Sequence, residues 1–237
     1  MVLKCIIPAG GKGTRLRPYT ETIPKPLVEV NGKPLLYYTL QTLKKLNIKD
    51  IILVNGYKAE MIEEYTEKNA KDFNVINITQ KENEMLGLPS TMISAENEID
   101  DDFVMLLPDF IFTEDMSYVI KKHKQLMSEG TTVLAKGKPL INCGSFRLEG
   151  DLIKEISMND GTPKTMHENL ALGMDVQKPD FIDTCKKLKL SKRGQYEIVD
   201  AYIHRIKEGK KLVGVVAKAK SYHITAPQDK LEFEKTN

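Results

Sequence analysis

Four short apolar runs punctuate the first half of the chain, at 4–8, 51–54, 75–78 and 103–107, with helical patterns between them. Runs this short, rich in Ile, Val and Leu and bounded by polar residues, predict buried strands. The segments 35–46, 59–69 and 88–95 predict helices. In the first of these, Leu36, Leu40 and Leu43 recur at three- and four-residue spacing and so share one face. Strand alternating with helix demands a mostly parallel sheet covered on both sides, because each parallel strand needs a crossover that packs back on the sheet. The right-handed crossover makes that sheet doubly wound, with ligands expected beyond the carboxyl ends of its strands.

The texture changes after a helix expected over 116–128. Short strands are predicted at 131–135, 144–148, 152–156 and 170–176, joined by turns such as Glu149-Gly150-Asp151. Helices follow over 179–188 and 198–208, with Gly209 as a C-terminal cap. No internal repeat or low-complexity linker divides the chain. The expectation is one α/β domain over 1–237, a doubly wound, mostly parallel sheet with a smaller lobe added from about 131 onward.

Composition removes several classes of partner. A formal net charge of +2 gives no basis for binding nucleic acid or an anionic membrane. The three cysteines, Cys5, Cys143 and Cys185, are scattered and form no CxxC pair, so neither a disulfide framework nor a zinc site is indicated. No apolar run approaches the ~18 residues of a membrane span. No leader pattern opens the chain, and a cytoplasmic location is expected. A homo-oligomer is compatible with all of this.

The segment Pro8-Ala-Gly-Gly-Lys-Gly-Thr-Arg-Leu-Arg-Pro18 follows the first predicted strand directly. Gly10, Gly11 and Gly13 can take positive φ and let backbone amides close on an anion. Lys12, Arg15 and Arg17 add cations, and Arg15 can grip phosphate bidentately. This is neither a Walker loop, whose Gly-Lys-Ser/Thr ending is missing, nor a dinucleotide fingerprint, whose third glycine is missing. A second element is Thr22-Ile-Pro-Lys-Pro-Leu27. Lys25 between Pro24 and Pro26 presents an ammonium from stiff backbone, which suits a phosphate whose charge grows in a transition state. By themselves these elements also fit a tight turn and an exposed lysine.

Together, Ala9-Gly-Gly-Lys-Gly-Thr-Arg-Leu-Arg-Pro18, Pro24-Lys-Pro-Leu27 and Val30-Asn-Gly-Lys-Pro-Leu35 resemble the sugar-1-phosphate nucleotidyltransferase family, strongly to about residue 60 and more weakly beyond. The resemblance implies a Rossmann-like fold, with nucleotide bound by about 1–130 and sugar phosphate by about 131–237. It implies that Ala9, Gly10, Gly11, Gly13 and Thr14 hold the nucleotide, and that Arg15 and Lys25 are catalytic, stabilising charge on the phosphates. Gln80 and Gly87 match the base-reading segment and suggest uracil or thymine. Asp109, in Leu106-Leu-Pro-Asp109, matches a carboxylate holding Mg²⁺. The substrates so implied are UTP or dTTP and a sugar 1-phosphate such as glucose 1-phosphate, giving an NDP-sugar and pyrophosphate.

Two departures stand out. His223, in Ser221-Tyr-His-Ile-Thr-Ala-Pro227, occupies the place of the family's second metal carboxylate. Imidazole suits Mg²⁺ less well than a carboxylate, so His223 as metal ligand, phosphate contact or packing residue all stay open. The family's Glu-Lys-Pro element is missing, and Lys164 is the nearest substitute. Glu168, Asn169 and Glu197 match further sugar-side segments, and Gly144 offers its backbone. The departures keep two alternatives in view: a nucleotide-binding homologue with impaired chemistry, and a cytidylyltransferase acting on a non-sugar phosphate. His123, among Lys121, Lys122 and Lys124, reads as solvated.

Overall fold

A computed structural model describes residues 3–84, 86–137, 143–159 and 166–236. The chain enters as β1 (Lys4–Pro8) and passes a short helix α1 (Tyr19–Thr22) and a small hairpin of β2 (Glu29–Val30) and β3 (Lys33–Pro34). Then come α2 (Leu35–Lys45), β4 (Asp50–Asn55), α3 (Ala59–Asn69), β5 (Asn74–Thr79), α4 (Leu88–Ser94) and β6 (Phe103–Leu106). β4 runs parallel to β1 and β5, and β1 parallel to β6. The spatial order is therefore β5-β4-β1-β6, and the winding reverses between β1 and β6. Loops leaving the two strands at such a reversal diverge and open a crevice.

The remaining elements are β7 (Phe110–Phe112), α5 (Ser117–Gln125), β8 (Gly130–Lys136), β9 (Gly144–Glu149), β10 (Leu152–Met158) and β11 (Asn169–Gln177). After them come α6 (Asp180–Lys186), α7 (Ile198–Lys207), β12 (Leu212–Val216), β13 (Ser221–His223) and α8 (Pro227–Thr236). They extend the sheet as β6-β11-β8-β12-β10-β9, which makes nine strands among the described residues. β11 is antiparallel to β6 and β8, whereas β12 is parallel to β8. The doubly wound α/β sheet expected from the sequence forms, parallel through its first four strands and mixed beyond them. β7 and β13 pair apart from the main sheet, with His223 opposite Phe110.

Alternating residues of the strands serve opposite faces. Ile7 and Leu53 pack with Leu36, Leu40, Ile62 and Val119 on one side of the sheet. Ile6 and Ile52 pack with Met92, Phe181 and Tyr202 on the other. A third cluster joins Leu16 and Val28 to Ile111, Ile224 and Phe233, so the segment after β1 is anchored to the C-terminal helix. Among the described residues no helix is long and apolar enough to cross a membrane.

His123 corrects the sequence reading. Instead of facing solvent it is only 2% exposed, with Nδ1 2.9 Å from Thr131 Oγ1 and Nε2 3.2 Å from an Asp102 carboxylate oxygen. It follows Val119 by four residues and so falls on the inward stripe of α5, while Lys121 and Lys124 are exposed. Burial pushes its pKa down, and Asp102 offsets part of that.

Asp175 on β11 is 3% exposed, and one of its carboxylate oxygens has no hydrogen-bond partner among the described residues. Burial raises its pKa to about 6, although the Thr132 and Tyr202 hydroxyls donate to it. Below about pH 4 the carboxyl is protonated in both folded and unfolded chains and costs nothing. As pH rises through about 6, the folded chain must bury a charge that the unfolded chain holds in water, so stability falls across pH 4–6. Asp175→Asn is expected to remove that slope and to stabilise the protein at pH 7.5 by up to about 3 kcal/mol. Urea denaturation at pH 4.5 and 7.5 measures it, and an unchanged slope contradicts the assignment.

Candidate active site

A cleft of about 430 Å³ opens at the carboxyl ends of β1, β5 and β6, at the winding reversal. Its walls carry Ala9, Gly10, Gly11, Gly13, Thr14 and Arg15 from the loop after β1, Lys25, Gln80, Gly87 and Asp109. Separate stretches of the chain meet there because β1, β5 and β6 end on the same edge of the sheet.

The loop after β1 is shaped by where its carbonyls go. The Gly10 carbonyl accepts from the Tyr57 amide at 3.0 Å, and the Gly13 carbonyl from the Leu16 amide at 2.9 Å and the Thr20 hydroxyl at 2.8 Å. Among the described residues, the amides of Gly10, Gly11 and Gly13 donate to no backbone carbonyl. A short loop with carbonyls committed and amides uncommitted is built to receive an anion. Gly13 has φ 62°, and a Cβ there would lie 2.9 Å from Thr20 Cγ2 and 3.0 Å from Lys25 Cβ. The loop therefore rests directly on the Lys25 stem and sets the position of its ammonium.

Lys25 Nζ donates to Asp109 Oδ2 at 2.5 Å, and His223 Nε2 lies 3.3 Å from the same oxygen. Both side chains of the Lys25–Asp109 pair are mostly buried. Burial pushes the Asp109 carboxyl up, but the Lys25 ammonium and His223 outweigh it and hold the group well below the usual carboxylate range. Asp109 Oδ1 is buried and has no hydrogen-bond partner among the described residues. The backbone is fixed from two sides: the Asp109 carbonyl accepts from Ile224, and Leu107 donates to Gly173 at the irregularity of β11. His223 stacks on Phe110 with ring centroids 4.0 Å apart.

On the far wall, Gln80 is 5% exposed and donates its amide NH₂ to Ser94 Oγ at 2.9 Å, which leaves its carbonyl as the acceptor it can offer. Gly87 has φ 98°, and a Cβ there would sit 2.4 Å from the Tyr196 carbonyl oxygen, so only glycine fits. The Tyr196 amide donates to Leu86, clamping the 191–197 loop over this wall.

Of the residues expected on the sugar side, Gly144, Glu168, Asn169 and Glu197 are not among those that line this cleft. Gly144 is buried, and a Cβ on it would meet Val199 at 2.8 Å, against α7. Glu168 and Asn169 line a second, smaller depression with Lys136 and His167, and Asn169 donates to the Phe146 carbonyl. Glu197 is taken by Arg193, at 3.0 and 2.8 Å, and by the Ser191 hydroxyl. Lys164 lies outside the described residues. Gln195, Thr91 and Thr225, which sequence reading missed, line the main cleft instead. Gln195 sits within the segment that pointed to Glu197; two residues nearer the start of the loop, it reaches the cleft while Glu197 turns back to Arg193. Thr225 is held by Asp229, whose carboxylate accepts from the amides of Thr225 and Ala226 and from the Thr225 hydroxyl.

A glycine loop with uncommitted amides thus lies at the switch point of a doubly wound sheet, with a lysine and a carboxylate facing it, an arrangement suited to receiving an anion. The chain belongs to the nucleotidyl transferase family, whose model matches residues 4–222. It is similar to the UTP–glucose-1-phosphate uridylyltransferase AglF of Haloferax volcanii, 28% identical over 98% of this chain and 95% of that one. It is also similar to the bifunctional protein GlmU of Methanocaldococcus jannaschii, 30% identical, spanning 98% of this chain and about half (54%) of that protein. A solved UDP-glucose pyrophosphorylase complexed with UDP-glucose shares the fold, with a TM-score of 0.86 at 23% identity over 99% of this chain and 98% of that one.

Proposed function

We propose that this protein joins UTP or dTTP to a sugar 1-phosphate, with glucose 1-phosphate the leading acceptor, to give an NDP-sugar and pyrophosphate. The carrying observation is the convergence of the glycine loop, Lys25 and Asp109 on one cleft. A phosphate oxygen of the acceptor attacks the α-phosphorus, the bond from that phosphorus to the bridging oxygen of the β-phosphate breaks, and pyrophosphate leaves. Such a reaction asks for positioning and charge neutralisation rather than a protein nucleophile.

In this reading Ala9, Gly10, Gly11, Gly13 and Thr14 cradle the triphosphate, and Arg15 and Lys25 carry its growing charge. The Gln80 carbonyl accepts from the N3–H of uracil or thymine, a donor that cytosine lacks, while Gly87 lets the base approach the backbone. Gln195 and Thr225 face the acceptor. A divalent ion, for which Mg²⁺ is the sequence-based expectation, would be held by Asp109 with His223. The uncommitted Oδ1 of Asp109 fits that role, and a substrate-bridging ion needs only one or two protein ligands. When bound, the ion neutralises charge on the phosphate oxygens. A cytoplasmic location goes with these substrates.

Pyrophosphate release measured for UTP, dTTP, CTP, ATP and GTP against several phosphomonoesters tests the reading. Uracil and thymine nucleotides with a hexose 1-phosphate are expected to turn over fastest. CTP with a non-sugar phosphate as the best pair refutes it.

A further inference from the structure

We infer that Asp109 and His223 form a mixed oxygen–nitrogen site that takes a borderline divalent ion, of the manganese class, in preference to magnesium. This rests on the reading of nucleotidyl transfer above, because the other ligands of the ion come from a bound triphosphate.

The two donors are brought together by backbone pairing. β13 runs antiparallel to β7 with His223 opposite Phe110, and Asp109 immediately precedes that strand. The imidazole lies flat on the Phe110 ring, 4.0 Å between centroids and 11° between planes, so its orientation is fixed by stacking. Its Nε2 stands 3.3 Å from Asp109 Oδ2. Two ligands at right angles in the shell of an ion, each about 2.1 Å from it, are about 3 Å apart. The two side chains are thus close enough to share an ion, with Oδ1 the carboxylate oxygen left for it because Oδ2 already carries the Lys25 ammonium.

Asp109 also retains acceptor capacity. Lys25 and His223 both address Oδ2, while Oδ1 is buried without a hydrogen-bond partner among the described residues. A buried carboxylate oxygen left without donor or cation is costly, and an ion removes that cost. Charge sets the conditions. The carboxylate is already offset by Lys25, and a coordinating imidazole nitrogen contributes no negative charge, so the protein alone holds an ion weakly. Among the described residues no cluster of three or more His, Cys, Asp or Glu side chains is placed to hold a metal ion. The ion is shared with phosphate oxygens.

Donor chemistry then selects the ion. Magnesium demands a near-ideal octahedron of hard oxygens and gives up water reluctantly. Imidazole nitrogen suits first-row transition ions, and manganese accepts nitrogen together with carboxylate and phosphate oxygens.

The test uses the full chain with UTP and no acceptor, so that nothing turns over. Pulsed EPR of added Mn²⁺ is expected to show the ¹⁴N coupling of a coordinated imidazole, lost in His223→Asp. The ratio of Mn²⁺ to Mg²⁺ affinity, by competition, is expected to be about tenfold higher in wild type than in His223→Asp. Absence of Mn²⁺ binding, or bound Mn²⁺ without nitrogen coupling, overturns the inference and leaves an Asp109–His223 hydrogen bond only. Should His223→Asp fail to fold, the wild-type spectrum still decides. Pyrophosphate release without nitrogen coupling sinks the ion site alone, whereas nitrogen coupling without turnover under either ion sinks the reading of function.

Discussion

Replacing Lys25 with alanine is expected to lower kcat by about 10²–10³-fold, the usual consequence of removing one preorganised charge-stabilising donor. The ammonium is unusually well placed for this role. Its stem is packed under Gly13, its backbone carbonyl accepts from Val28, and its Nζ is 2.5 Å from Asp109. The same substitution strips Asp109 of its strongest partner. A mostly buried carboxylate without its counter-charge is destabilising, so a lower Tm is expected alongside the kinetic loss. Assays well below the mutant Tm separate the two effects. Lys25→Arg is expected to restore little, since a planar fork does not substitute for a point charge seated on Asp109. A Lys25→Ala enzyme with wild-type kcat contradicts the catalytic role.

Gly173→Ala is expected to be strongly destabilising. Gly173 has φ 62°, in the region that a side chain resists, and a Cβ there would lie 2.4 and 2.7 Å from Phe110 ring carbons and 3.0 Å from Leu107 Cβ. Overpacking of this kind costs about 1–3 kcal/mol, and the left-handed backbone about 1–2 more. For a chain of this size that corresponds to a Tm lower by about 10 °C in calorimetry. The damage reaches the site, because Phe110 supports the His223 ring and the Gly173 carbonyl accepts from Leu107, two residues before Asp109. Lost stability with turnover intact at low temperature would show that Phe110 does not position His223. An unchanged Tm would show that the turn can relax.

Much of this architecture is legible in the sequence for identifiable reasons. β1 and α3 match their expected spans, and β4, β5, β6 and α2 lie within a residue or two of theirs, most of them because of a continuous apolar run or stripe; β5, interrupted by Asn77, is an edge strand with Ile76 41% exposed rather than the buried strand expected. The glycine loop could be placed since it follows β1 directly. What escaped detection has little local signal. β7 and β13 are three-residue strands, and the second, Ser221-Tyr222-His223, is nowhere fully buried and has no apolar run, so only its pairing partner makes it a strand. β12 differs from these, since its run Leu212-Val213-Gly214-Val215-Val216 carries a strand signal of its own. His123 misleads because its neighbours are lysines, while the helical period, not the neighbours, decides which way it faces. Sugar-side residues were the hardest to read: which of Gln195 and Glu197 reaches the cleft depends on the turn before α7 and on Arg193 capturing Glu197. No spacing rule encodes that.

The central claim, that this cleft transfers a nucleotidyl group at the α-phosphorus, is tested most directly by following UTP, glucose 1-phosphate and a divalent ion by ³¹P NMR with the wild-type chain. The account predicts that the triphosphate resonances give way to a sugar-linked diphosphate and pyrophosphate in equal amounts. Nucleotide that binds without change, or release of orthophosphate in place of pyrophosphate, would contradict it.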